Sequence, residues 1–141
     1  SHSSLNRAIA VVEKSIEATK AKFKIDENKI FLLGFSQGGS MVLEMALRYP
    51  KKYTGFICCS GFLNWYETKR EEKRPLRGVK LFASVGRRDM MVNPDLSIDS
   101  IKYLESHGAE VTINEYDMGH EMTYEVIEDI KYWIISVMKT K

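Results

Sequence analysis

Three side chains in this sequence could share one piece of chemistry: Ser36 in GFSQGG (34–39), Asp89 in SVGRRDMMV and His120 in EYDMGHEM. A serine hydroxyl is a weak nucleophile until a base takes its proton. An imidazole is suited to that task near neutral pH. A carboxylate can orient the imidazole and stabilise it when charged. The chain order serine, acid, histidine is one of the orders in which such sets occur. The chemistry would be acyl transfer, with an acyl-enzyme on Ser36 that water then releases.

The serine has a local context of its own. The apolar run Ile30-Phe31-Leu32-Leu33 precedes it and SMVLEMALRYP follows it. Ser36 therefore sits between an expected strand and an expected helix, as the G-x-S-x-G turn requires. Gly34 and Gly38 are expected to remove side chains that would collide at that turn. The backbone N–H of Gln37 is expected to donate to an oxyanion, where the helix N-terminus favours negative charge. Glycine-rich strand-to-helix turns also bind phosphate. Neither G-x-x-x-x-G-K-[ST] nor G-x-G-x-x-G occurs here, which disfavours a nucleotide site.

Asp89 has rivals. Asp95 suits the first turn of a helix, and Asp117 is too near His120 in sequence to come from a separate strand end. His107 reads as a basic residue at a helix end. Arg87 and Arg88 read as exposed loop charge, Trp133 as a packing residue, and the methionines as core filler.

The elements that must position these groups alternate. Leu5, Ala8, Ile9, Val12, Ile16 and Phe23 mark one face of a helix ending near Lys24. Ile30–Leu33 is a short apolar run without alternation, the pattern of a strand buried on both faces. Met41, Val42, Met45, Ala46 and Tyr49 mark a second helix stopped by Pro50. Phe56–Cys59 and Val79–Val85 read as further strands, and the polar stretch 64–78 between them as a surface connection. Asn93 and Pro94 suit a helix start, Ile98, Ile101 and Leu104 its buried stripe, and Gly108 its end. Val111, Ile113 and Tyr116 read as a last strand; Val126, Ile127, Ile130, Ile134 and Val137 as a closing helix. The fold class is α/β: a mainly parallel sheet of about four strands with helices on both faces. Ser36, Asp89 and His120 all fall just past strand ends, where such sheets place their sites.

GFSQGG with ALRYP, then ICCSGFL, VGRRDMMV and YDMGHE, resembles the phospholipase/carboxylesterase branch of the α/β-hydrolases, which includes acyl-protein thioesterases. The resemblance runs over nearly the whole chain. It implies a serine hydrolase acting on carboxylic esters or thioesters, with Ser36, Asp89 and His120 as its triad. It also implies that Leu63, Met91 and Val92 line the acyl pocket. The family has His-Gly before the acid where this chain has Val85-Gly86, and Val-Pro after it where this chain has Val92-Asn93-Pro94. Family members begin with several strands before the first helix seen here, and one of their loops gives a second oxyanion donor. The resemblance therefore implies a chain truncated at its N-terminus, corresponding to the C-terminal half of the family's sheet. Ile30–Leu33 would then lie at an exposed edge, open to a missing N-terminal segment or to a copy of the same chain. A hydrolase-derived interaction module is the alternative function, and an oligopeptidase-like activity a third.

The 141 residues fit a single domain, expected over 4–141, with Ser1-His2-Ser3 as a tag scar. Hydrophobic residues make up 44% and charged residues 28%, which disfavours global disorder. A net charge of +2 offers no basic stripe for nucleic acid. No apolar run is long enough for a membrane span, and no signal peptide is visible. Adjacent Cys58 and Cys59 read as small apolar residues and suggest a reducing compartment, the cytoplasm. No metal or cofactor is expected, because no Cys/His cluster has ligand spacing.

Overall fold

The computed structural model describes residues 2–64 and 75–139. Its helices are α1 (His2–Lys22), α2 (Gln37–Arg48), α3 (Pro94–Ser106) and α4 (Tyr124–Lys139). Its strands are β1 (Phe31–Phe35), β2 (Gly55–Cys59), β3 (Lys80–Gly86) and β4 (Glu110–Tyr116). All strand pairs are parallel, and the sheet order is β1-β2-β3-β4. The expected α/β class is therefore the observed one.

Alternation along the strands divides the core in two. Phe56, Cys58, Leu81 and Ala83 face one side, where α1, α2 and α3 cover them. Ile57, Cys59 and Phe82 face the other, where Val126 and Ile130 of α4 cover them. Trp133 of α4 packs edge-on against Phe31, with centroids 6.0 Å apart, and beside Phe82 at 5.9 Å. It fills the space that Gly55 leaves; a Cβ there would come within 3.0 Å of the indole.

Several sequence expectations need correction. β1 continues through Gly34 and Phe35 instead of ending at Leu33, because its ladder with β2 runs to Phe35 opposite Cys59. The ladder is extended by the Ser36 N–H, which donates to the Cys59 carbonyl at 2.8 Å. β1 lies at the sheet edge, as expected, and Leu33 is half exposed instead of buried on both faces. Phe23 lies beyond the end of α1 and is exposed, so the stripe of α1 ends at Ile16. In α3 the buried face is Ser97, Ser100, Ile101 and Leu104, with Ile98 only half-buried. The connection expected at 64–78 lies outside the described residues over 65–74. Leu76 within it is fully buried, and its N–H donates to the His107 carbonyl.

The caps follow the sequence. The Asn93 side chain accepts the Asp95 N–H at 2.9 Å, with Pro94 in the first turn. His107 ends α3, and its Nδ1 lies 2.8 Å from the Tyr103 carbonyl. Gly108 follows with φ of 110°, a conformation that glycine adopts without a Cβ clash.

Candidate active site

Ser36 joins β1 to α2 with φ 58° and ψ −117°. A non-glycine residue held there stores roughly 1–3 kcal/mol of backbone strain. The turn is tight enough that a Cβ on Gly34 would meet the Gly38 carbonyl oxygen at 2.1 Å. Gly38 differs from the expectation: a Cβ there would meet nothing within 4 Å. The more crowded glycine is Gly39, where an added Cβ would come to 3.1 Å from Cys59 O and 3.2 Å from Cys58 Sγ. Two substitutions therefore separate. Gly34→Ala is expected to cost about 1–3 kcal/mol or more in urea unfolding. Gly38→Ala, in the first turn of α2, is expected to leave stability unchanged or raise it by up to about 1 kcal/mol.

His120 comes from the loop between β4 and α4. Its Nε2 lies 2.9 Å from Ser36 Oγ, and its Nδ1 lies 2.8 Å from Asp89 Oδ2. An ionised carboxylate only accepts, so the proton sits on Nδ1 and Nε2 is left to accept from the serine hydroxyl. The ring of Phe35 lies against the imidazole, centroids 4.8 Å apart.

Asp89 is buried in the loop after β3. Its Oδ1 accepts the N–H groups of Met91 and Val92 at 2.8 and 2.9 Å. Burial works against its charge. The Val92 N–H, His120 and the Met91 N–H outweigh burial and hold the carboxyl below its ordinary value of 3.8. The rival Asp117 is exposed and engaged elsewhere, accepting from Arg88 Nε at 2.7 Å. That pair ties the Asp89 loop to the His120 loop, as do the Arg87 and Arg88 N–H groups donating to the Tyr116 and Met118 carbonyls. Gly86 allows the approach, because a Cβ there would meet the Gly119 oxygen at 2.3 Å.

A cleft of about 530 Å³ opens beside Ser36. Gln37 and Gly38 line it at the start of α2, where the first N–H groups of a helix have no intrahelical acceptor. Val92 is on its wall. Leu63 and Met91 are not. Leu63 is buried in the core, and its neighbours Phe62 and Asn64 line the cleft instead. Met91 is 77% exposed and contributes its backbone to Asp89. The loop after β2 is pinned by two serines: Phe62 N–H donates to Ser40 Oγ at 3.2 Å, and Leu63 N–H donates to Ser100 Oγ at 2.9 Å. Reasoning from sequence passed over both. Their signal was a hydroxyl inside an apolar helical stripe. Burial pushes the Cys58 thiol up to about 12, so it does not compete as a nucleophile.

The profile of the Phospholipase/Carboxylesterase family matches residues 1–138. The chain belongs to this family. Mouse lysophospholipase-like protein 1 is 29% identical over 122 residues, covering 83% of this chain and 50% of the relative. A probable carboxylesterase of Oryza sativa subsp. japonica is 29% identical over 117 residues, covering 82% of this chain and 44% of its own length. The crystal structure of Arabidopsis thaliana SOBER1 is similar at a TM-score of 0.79 and 25% identity, covering 99% of this chain and 67% of that one. The α/β-hydrolase-like architecture is shared, and this chain spans about half the length of the curated relatives it matches. Among the described residues no helix is long and apolar enough to cross a membrane.

Proposed function

We propose that this member of the phospholipase/carboxylesterase family is a serine hydrolase that cleaves carboxylic esters or thioesters through an acyl-enzyme on Ser36. One observation carries the reading: an unbroken hydrogen-bonded line from Ser36 Oγ through His120 to Asp89. His120 takes the hydroxyl proton as Ser36 attacks the carbonyl carbon, and Asp89 stabilises the imidazolium. The Gln37 N–H, at the positive end of α2, stabilises the oxyanion. His120 then returns the proton to the leaving alcohol or thiol, and water releases the acyl group by the same steps in reverse roles. The relatives' names, a carboxylesterase and a lysophospholipase-like protein, support an ester as substrate. The chemistry needs no metal or cofactor. The free thiols Cys58 and Cys59 fit a reducing compartment such as the cytoplasm.

The reading is tested with p-nitrophenyl acetate. The expected result is a burst of about one p-nitrophenol per chain followed by turnover, the signature of an accumulating acyl-enzyme. A chain that produces neither burst nor turnover contradicts it.

A second reading rests on the edge strand β1, whose Leu33 is 50% exposed. An apolar open edge is a template for pairing with a second copy of the chain. Light scattering tests this: a dimer supports it, and a monomer at millimolar concentration excludes it.

A further inference from the structure

A catalytic imidazole is neutral while it waits and positively charged once the serine proton has moved to it. A group that holds both forms equally well leaves kcat unchanged, and a group that favours the charged form alone raises it. Asp89, 2.8 Å from His120 Nδ1, is one such group. A second lies against the ring itself. Phe35, the residue before Ser36, has its ring centroid 4.8 Å from that of the imidazole, with the two planes 44° apart.

The fold holds this ring in place. Phe35 ends β1 opposite Cys59, and the Ser36 N–H bond to the Cys59 carbonyl closes the ladder just past it. Alternation along β1 puts Phe31 and Phe35 on one face, and both pack against the cluster that holds Ile57, Cys59, Phe82 and Met118. Met122, two residues past His120, packs against the same cluster. The strand that carries the nucleophile and the loop that carries the base thus share one apolar support.

A leucine could give His120 apolar cover. A benzene ring adds a quadrupole, negative over its face and positive at its edge. Dispersion acts on the imidazole in both of its states. The quadrupole attracts it only when it is charged, and a cation within about 6 Å of the centroid is in range. The His120 side chain is 17% exposed, so the new charge forms largely out of water, and such attraction strengthens as water is removed.

We propose that Phe35 is a positioning residue that acts through His120: its ring holds the imidazole in line between Ser36 and Asp89 and stabilises the imidazolium formed in both half-reactions. This rests on the reading of Ser36 as the nucleophile and His120 as its base. Fluorination tests it, because fluorine withdraws electron density from the ring face and barely changes its shape. Phe35 is replaced by 4-fluoro-, 3,5-difluoro- and 3,4,5-trifluorophenylalanine through suppression of a stop codon at that position alone. Turnover of p-nitrophenyl acetate and urea unfolding are measured for each chain. The expected result is a stepwise fall in kcat with each fluorine, about threefold to tenfold in all, with KM and the unfolding midpoint unchanged. Phe35→Leu is expected to lose at least as much kcat as the trifluoro chain. A flat series, or a kcat that rises with fluorine, overturns the proposal, as does full kcat in Phe35→Leu. A fall in kcat that tracks the unfolding midpoint assigns the ring to packing and overturns it as well. Each of these results leaves the hydrolase reading intact, because the unaltered chain still turns over. An unaltered chain without turnover overturns that reading and the role of Phe35 with it.

Discussion

Ser36→Ala is expected to lower kcat on p-nitrophenyl acetate by a factor on the order of 10⁶, the scale seen when a hydrolase loses its nucleophile. The loss is chemical and not structural. The hydroxyl's partner at this site is His120 Nε2, a contact in a half-exposed cleft, so its removal orphans no deeply buried group. The backbone at φ 58° and ψ −117° is as strained for alanine as for serine. Unfolding midpoints of the two chains should therefore agree closely. Ser36→Gly gives the complementary result. It loses the same activity but relieves the strain, and is expected to be more stable than Ser36→Ala by about 1 kcal/mol or more. Equal activity in Ser36→Ala and the unaltered chain would remove the serine from the mechanism.

Asp89→Asn is expected to lower kcat by about 10⁴ while preserving the fold. Asparagine keeps an oxygen for the Met91 and Val92 N–H groups that Oδ1 now accepts. It loses the negative charge 2.8 Å from His120 Nδ1 and can present an N–H there, which selects the wrong tautomer. Asp89→Ala goes further. It leaves those two N–H groups without their acceptor, at about 1–3 kcal/mol each where they stay buried. The difference between the two variants separates the electrostatic role from the structural one. Acid unfolding gives a second measure. The Asp89 carboxyl is held below its ordinary 3.8, so its ionised form stabilises the fold. That contribution is fully present above the ordinary value and is lost as pH falls through the lower folded value. Asp89→Asn has no such group. The stability gap between the unaltered chain and Asp89→Asn should therefore narrow as pH drops below about 4. A gap that widens in acid would contradict the assignment of charge.

The sequence was informative where local rules and the tertiary structure agree. Asn93-Pro94 and Gly108 bound α3 because capping is a property of adjacent residues. Ser36, Asp89 and His120 were legible because each falls directly past an apolar run that becomes a parallel strand, and parallel strands bring their carboxyl ends together. What was not legible depends on neighbours distant in sequence. Gly38 looked sterically required by its place in G-x-S-x-G, yet the crowding falls on Gly39, which meets Cys58 and Cys59 from the adjacent strand. Leu63 and Met91 were placed on the acyl pocket by family resemblance. The loop after β2 instead turns Leu63 into the core, because Ser100 on a separate helix captures its N–H. Met91 faces outward because its backbone is committed to Asp89. Glu44 gave no signal at all. A charged residue four before an arginine reads as a surface pair, yet Glu44 is 2% exposed and its partner Arg48 reaches Asn6 of α1.

The central claim is that Ser36 carries the acyl group between two half-reactions. Quenching the reaction with p-nitrophenyl acetate in acid during the burst, then digesting and weighing the peptides, tests it directly. The account predicts one acetyl group per chain on the peptide containing GFSQGG, placed on Ser36 by fragmentation and absent from Ser36→Ala. Turnover with no adduct at Ser36, or an adduct that persists in Ser36→Ala, would contradict it.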